Sequence, residues 1–331
     1  MNEKEVFKKV KKIQQRYKDH TAKTTVLFWV TGIAICWFAG KFFFGEGFNL
    51  FLFTVATLGV GCLILCERKT RSIQKEARGY AAEQLLFPTM QEKFQIYEFK
   101  PKEVIEKYMA EKSELLPVTK KYDGYGYIRA SYRGAMFRCS NVSIKKTKSD
   151  DNDNWRYEKN RYKKNLGRND VIYEGMLARV DLNTQVDGFL KIEEFNSVRG
   201  PLHTLTFSLQ EKLAKVAGVQ LYDFSTVNLE FHNRFKVTAS NEWFVQQILT
   251  PAVMNGLLQA KTYTDGRISL HFTQDDLFIS NKHEHVLMAI EEGKYSQDYL
   301  LEDAQHAQGD VLALANILDV LTEHASFAFF G

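Results

Sequence analysis

Three histidines in the last quarter of the chain are the side chains best suited to binding a metal ion. His283 and His285 are separated by one residue at the end of a predicted strand, and His271 precedes them. Zinc sites use imidazole nitrogens but need three or four ligands, and only Glu284 and His271 lie nearby in sequence. We therefore predict no metal site and keep His271, His283 and His285 as the only candidate ligands.

The surroundings of His271 argue against a shared site. Ile268, Leu270 and Phe272 alternate along a predicted strand, so their side chains lie on one face and form a core. His271 falls on the opposite face, where we expect it to be exposed to solvent. We therefore predict that the candidate histidines are ordinary surface residues.

Two loop motifs resemble ligand-binding loops but fail in detail. The segment Gly124-Tyr125-Gly126 begins like a phosphate loop, yet Arg129 stands where a third glycine is needed and the segment precedes a strand. An acidic segment starting at Asp150 resembles a calcium loop. It has Trp155 and Arg161 where an EF-hand requires glycine and glutamate. Both segments are therefore predicted to be ordinary turns or loops.

Nucleophilic and acid–base patterns are also weak. Cys139 shares a predicted strand face with Phe137, which favours a buried and unreactive thiol. The adjacent carboxylates Asp275 and Asp276 lie at a predicted turn and do not form the facing pair that acid–base catalysis needs. We predict no catalytic residue and no cofactor, and the sequence favours a protein without enzymatic activity.

Two long apolar segments precede all these residues. Residues 24–40 form a run without charge, extended past Lys41 by three phenylalanines, and residues 48–66 form a second run. Each is close to the ~20 residues that cross a bilayer as a helix. We predict a transmembrane helical hairpin over residues 25–66, with spans at about 25–44 and 48–66. A cleaved signal peptide and a buried core hairpin are the alternatives.

Basic residues border both apolar segments. Residues 1–24 carry eight Lys/Arg and three Asp/Glu, residues 67–78 carry five and two, and residues 79–331 carry 30 and 34. By the positive-inside rule, both termini should be cytoplasmic. A nucleic-acid-binding protein would concentrate basic charge on its folded domain, so we predict no nucleic-acid partner.

The basic segment 1–24 has the pattern of an amphipathic helix. Either it contacts anionic lipid, or it serves only as the topology signal. The cations that would make such a contact are Lys8, Lys9, Lys11, Lys12 and Arg16.

The remaining chain predicts an α+β fold. We expect a helical connector over 67–118, including a helix from Pro101 to Leu116, and then a cytoplasmic domain over 119–331. Predicted strands occur as neighbouring hairpins with helices segregated between them, which indicates an antiparallel sheet. One of these strands is predicted around Val227, Leu229 and Phe231. A charged insertion is expected at about 145–170.

Several short motifs resemble the DUF3137 family of uncharacterised bacterial membrane proteins. The resemblance covers most of residues 80–290. Its motifs are Leu86-Phe87-Pro88, Ser113–Pro117, Tyr122–Gly126, Tyr173–Ala178, and Phe231–Val237 leading to Ile248–Met254. This resemblance implies N-terminal spans in the bacterial plasma (inner) membrane and a cytoplasmic domain, but no activity, ligand or catalytic residue.

Function is therefore predicted mainly from anchoring. We expect a membrane-anchored, non-enzymatic binding or scaffold module at the cytoplasmic face, with the bilayer and an unidentified protein as partners. The alternative is a membrane-anchored enzyme whose site is assembled from scattered polar residues.

Overall fold

A computed structural model describes most of the chain. The described residues are 3–43, 50–117, 121–145, 171–183, 188–195, 220–222, 227–283 and 297–325. The predicted insertion falls outside them from residue 146 to 170, as does His285.

The chain divides into two compact units. The first comprises residues 1–81 and 288–300, and the second comprises residues 82–287 and 301–331. Each unit is described by itself below.

Two long helices, α1 (Glu3–Phe43) and α2 (Leu50–Ala81), make up the described part of the first unit up to residue 81. They lie side by side in opposite directions. At one end Arg16 pairs with Glu76 at 3.2 Å, and further along the rings of Phe38 and Phe53 lie 5.8 Å apart. Between these points Thr31 lies so close to Gly59 that a methyl group on that glycine would clash.

The α1 helix meets the length and hydropathy requirements of a membrane span. Among the described residues, one helix segment, Glu5–Gly40, satisfies them, and little of its most apolar part is buried within the protein. The cationic start of the same helix is different, because Val6, Val10 and Ile13 are buried there. Ile13 packs against Ile73 and Ala77 of α2.

The second unit combines short helices with strands. After a π-helical turn at Ala82–Leu86, the elements are α3 (Phe87–Lys93), β1 (Gln95–Lys100), α4 (Lys107–Lys112), β2 (Lys121–Tyr132), β3 (Ala135–Lys145), β4 (Val171–Asp181), β5 (Leu190–Glu194), β6 (Gln220–Tyr222), α5 (Leu229–Arg234), β7 (Phe235–Ala239), α6 (Glu242–Ile248), α7 (Pro251–Tyr263), β8 (Arg267–Phe272), β9 (Asp276–Lys282) and α8 (Gln297–His324).

In the described residues these strands form one nine-stranded sheet. Its order is β1-β2-β3-β4-β9-β8-β5-β7-β6, and every neighbouring pair is antiparallel. The predicted mixture of helices and antiparallel sheet is therefore confirmed. The β4–β9 pairing joins strands separated by about a hundred residues, so the sheet requires long-range closure of the chain.

Helices cover one face of the sheet, which we call the helical face. Side chains such as Ile279, Leu270 and Ile192 point from the strands into this core. Leu257 of α7 and Leu318 of α8 enter it from the helices. Burying side chains of this kind contributes roughly 1.5–3 kcal/mol each.

The opposite face of the sheet, which we call the connector face, is also covered. Ile105 and Met109, from the segment around α4, pack there on Leu177 and Phe278. Asp276 is buried on this side and accepts hydrogen bonds from Lys112 at 2.5 Å and Arg179 at 2.7 Å. A sheet covered on both faces has few positions where a polar side chain reaches solvent.

Several secondary-structure predictions are wrong, including the turn expected at residues 124–126, which lie within β2. The segment around Leu229 is helical because Asn228 accepts a hydrogen bond from the Phe231 amide and caps α5. Its alternation is misleading, since Val227 and Leu229 are exposed.

The predicted helix from Pro101 is also shorter than expected. The carbonyls of Pro101 and Glu103 accept hydrogen bonds from the β2 backbone, at Gly126 and Tyr127. These carbonyls are therefore unavailable to a helix. A strand, β1, also lies within the connector that the sequence predicts to be helical.

A substitution at Gly309 tests whether α8 must lie close to the end of α7. A methyl group there would lie 2.2 Å from the carbonyl oxygen of Tyr263. Gly309→Ala should therefore destabilise the protein by about 1–3 kcal/mol, although alanine ordinarily favours a helix. Thermal unfolding of the full-length protein in detergent measures the change.

The matched control is Gln308→Ala on the exposed side of the same helical turn. It should alter stability by less than about 0.5 kcal/mol. A Gly309→Ala variant as stable as this control would contradict the close approach.

Candidate functional site

A group of polar residues meets on the helical face of the sheet where β9 ends. Asn281 and His283 come from β9 and the residue after it, and Thr264 and Asp265 come from the turn between α7 and β8. The last contribution is Asp310 of α8, which faces them. Helix α7 precedes this turn, and it begins where Thr250 Oγ1 accepts a hydrogen bond from the Val253 amide, with Pro251 at the first helical position.

Asp310 is the centre of this cluster. Its carboxylate is buried and accepts hydrogen bonds from Asn281 Nδ2 at 2.5 Å, Thr264 Oγ1 at 2.9 Å and His283 Nε2 at 2.8 Å. Asn281 also donates to Thr264 Oγ1 at 2.8 Å. A buried carboxylate is tolerated only with such donors, because burial removes its hydration.

His283 lies between two carboxylates. Its Nδ1 is 3.3 Å from Asp265 Oδ1, on the side opposite Asp310. Burial alone lowers the pKa of this imidazole, but the negative charges of Asp310 and Asp265 more than offset burial and raise the pKa to about 10. The two carboxylates therefore favour the protonated form of the ring.

His306 brings a second imidazole to the same place from α8. Its Nδ1 lies 3.1 Å from Asp265 Oδ1, and its Nε2 lies 3.8 Å from Glu302. The His283 and His306 ring centroids are 6.0 Å apart. One ligand atom each from Asp265, His283 and His306 lies within 4.8 Å of the others.

The structure separates the histidines predicted from sequence. His283 is buried in the cluster, so the prediction of a surface residue is wrong for it, whereas His271 lies on the connector face and pairs with Phe278 in the sheet. His285 lies outside the described residues. The residues that sequence reasoning missed are Asp265, His306 and Asp310, and their signal was slight: His306 and Asp310 stand four apart, which places them on one face of a helix.

His271 itself is buried, so the expectation of an exposed side chain is wrong. Its Nδ1–H donates to the carbonyl of Ser113 at 2.7 Å, and the ring of Phe189 lies beside it. Burial lowers the pKa of His271 below 6.5 despite that hydrogen bond and the nearby Glu114 carboxylate. The ring is therefore a neutral link between β8 and the end of the connector.

An open cleft of about 370 Å³ also lies on the second unit. That volume falls within the roughly 300–1,000 Å³ of small-molecule pockets. Its charges are mixed: Lys191 donates to the Glu114 carbonyl at 3.0 Å and lies 3.3 Å from Glu193. The lining residues are Glu114, Leu115, Leu116, Pro117, Tyr173, Lys191, Glu193, Glu194, Phe195, Arg267, Ser269, Ser280 and Lys282.

The lowered pKa of His271 predicts that this residue contributes to the loss of folding stability at acid pH. As the pH falls through 6.5, the unfolded chain takes up a proton at this ring that the folded protein does not, so stability decreases. His271→Asn keeps an N–H near the Nδ1 position and removes the titration. Thermal unfolding between about pH 7.5 and pH 5.5 should show a smaller loss in this variant. Equal losses in both proteins would contradict the assignment.

Comparison with curated protein sequences gave no match. Among solved structures, the mycobacterial trehalose monomycolate transport factor A, TtfA, is similar over 73% of this chain and 96% of that chain, with 7% sequence identity and a TM-score of 0.33. A likeness at this level carries no argument about fold or function.

A family comparison is more informative. Residues 171–321 match the model described as "Protein of unknown function (DUF3137)". This segment contains β4 to β9 and most of α8, and therefore all of the Asp310 cluster. The motifs before residue 171 lie outside it. Residues 171–321 thus match the DUF3137 family, which confirms the resemblance that the sequence motifs predict.

Proposed function

We propose that the protein is a membrane-anchored binding module whose folded unit is displayed at the cytoplasmic face of the plasma membrane. In this proposal α1 and α2 cross the bilayer as a hairpin over residues 25–66, with spans at about 25–44 and 48–66. The observation that carries it is a band of large apolar side chains on the outside of both helices.

In α1 this band includes Phe28, Trp29 and Trp37, with Trp29 65% exposed. In α2 it includes Leu58 and Leu65, which are more than half exposed. Leaving such side chains in water costs roughly 1.5–3 kcal/mol each relative to burial, and lipid removes that cost. A monomeric soluble protein rarely exposes a continuous apolar surface of this extent.

Charge supports the sidedness. The N-terminal part of α1 and the C-terminal part of α2 are both rich in Lys and Arg. This charge favours the cytoplasmic side for both termini. The buried Val6, Val10 and Ile13 leave only the cationic side of the N-terminal segment for lipid. We therefore propose that the segment acts as the topology signal, with exposed lysines such as Lys8 and Lys12 near anionic headgroups.

The binding role rests on the 370 Å³ cleft. It brings Lys191, Glu193 and Arg267 together with the apolar Leu116, so a ligand there would meet both charged groups and an apolar surface. The proposed partner is a protein at the cytoplasmic membrane surface.

A membrane-anchored enzyme is the second candidate function. It is favoured by one observation, the convergence of Asp265, His283 and His306 beside solvent. Groups brought together from three separate elements are typical of active sites.

The native cysteines test the anchor directly. Cys36 and Cys62 are exposed on the helices, so they react readily with an aqueous, charged maleimide if water surrounds them. We expect no labelling of either residue in native membranes and full labelling after denaturation in SDS, as mapped by peptide mass spectrometry. Cys139 provides an internal control, because burial raises the pKa of its thiol to about 12 and keeps it unreactive in the folded protein.

Ser72→Cys tests the sidedness on α2 beyond the apolar run, where residue 72 is exposed. An impermeant maleimide should label this variant in inverted vesicles and not in intact spheroplasts. Labelling in spheroplasts would overturn the cytoplasmic orientation alone. Labelling of Cys36 and Cys62 in intact membranes would overturn the anchor.

A further inference from the structure

We propose that Asp265, His283 and His306 form a binding site for a divalent transition-metal ion of the zinc class, with Asp310 positioning His283. The ligands would be His283 Nδ1, His306 Nδ1 and a carboxylate oxygen of Asp265. This inference is independent of the membrane anchor, because all four residues belong to the second unit.

The spacing of the ligand atoms fits a tetrahedral ion. Zinc lies about 2.0–2.1 Å from nitrogen and oxygen ligands, so two ligand atoms at tetrahedral corners are about 3.3 Å apart. Asp265 Oδ1 is 3.3 Å from His283 Nδ1 and 3.1 Å from His306 Nδ1. These two distances match two edges of such a tetrahedron, and the third pair of ligand atoms lies within 4.8 Å.

The outer contacts support the same assignment. Metal-binding histidines usually donate their second N–H to a carboxylate, a backbone carbonyl or water, which fixes the ring and strengthens the ligand. His283 donates Nε2–H to the buried Asp310 at 2.8 Å, and Asp310 is itself held by Asn281 and Thr264. The Nε2 of His306 faces Glu302 at 3.8 Å. Both imidazoles therefore present Nδ1 inward and Nε2 to a carboxylate.

The cluster is open on one side. His283 is fully buried, whereas the side chain of Asp265 is 52% exposed and that of His306 is 19% exposed. An ion can enter from that side, and water can take the fourth position, as in zinc sites with three protein ligands. Two imidazoles and one carboxylate favour zinc and related ions over calcium or magnesium.

Binding exchanges an ion for a proton. His283 Nδ1 lies 3.3 Å from Asp265 Oδ1, and a proton on that nitrogen is what the ion displaces. The metal takes the lone pair of that nitrogen, and the proton is released to water. The two carboxylates, Asp265 and Asp310, then balance the two positive charges of the ion.

The test uses tag-free, full-length protein purified in detergent, treated with a chelator, and titrated with Zn²⁺ alone. We expect one tightly bound equivalent by elemental analysis after gel filtration, together with an increase in thermal stability. Zinc X-ray absorption should report nitrogen and oxygen ligands without sulfur.

Two ligand variants on different elements protect the test against misfolding. His306→Ala and Asp265→Asn change partly exposed side chains, and each should abolish stoichiometric binding while the zinc-free protein still unfolds cooperatively. Asp310→Asn keeps the ligands and should weaken binding by about 10–100-fold. His324→Ala, later in the same helix and exposed, is the matched control and should bind zinc as the wild type does.

Two results would overturn the proposal. One is wild-type protein that retains no stoichiometric zinc. The other is zinc binding that survives in both His306→Ala and Asp265→Asn, which would place the ion elsewhere.

Discussion

The buried carboxylate of Asp310 imposes the main constraint on the second unit. A carboxylate without water must have hydrogen-bond donors, and here they come from β9 and from the turn after α7. Those donors meet only if α8 lies closely against the end of α7. Gly309 permits that approach, since a side chain there would meet the Tyr263 carbonyl. One buried carboxylate thus constrains how α8 lies on the sheet.

The sheet accounts for the rest of the unit. Its helical face is covered by α5 to α8 and its connector face by the segment around α4, so strands near the centre are buried on both sides. Polar groups on these strands then need partners within the protein, as Asp276 finds in Lys112 and Arg179. His271 follows the same rule through the Ser113 carbonyl. Burial on both faces therefore explains why polar strand residues form links between elements.

The two units differ in where they place their large apolar side chains. The second unit buries most of the large apolar side chains of its described residues, whereas α1 and α2 display Trp29, Ile33 and Leu58 outward. Side chains displayed in this way are costly in water, which is the observation behind the proposed membrane anchor.

The sequence alone determines those features that depend on interactions between neighbouring residues. The apolar runs, the start of α7 at Thr250 and Pro251, and the β2–β3 turn at Arg133 and Gly134 all depend on neighbouring residues, so they can be predicted without a structure. The same reasoning failed at α5, because side-chain capping by Asn228 competes with an alternating pattern that resembles a strand.

The site was decided by tertiary structure alone. Asp265, His283 and His306 come from three elements separated by 18 and 23 residues, and only strand pairing together with the close approach of α8 brings them together. The burial of His271 likewise depends on a connector segment far away in sequence that covers its face of the sheet. Alternation along a strand specifies which side a residue faces, but not whether another part of the chain covers that side.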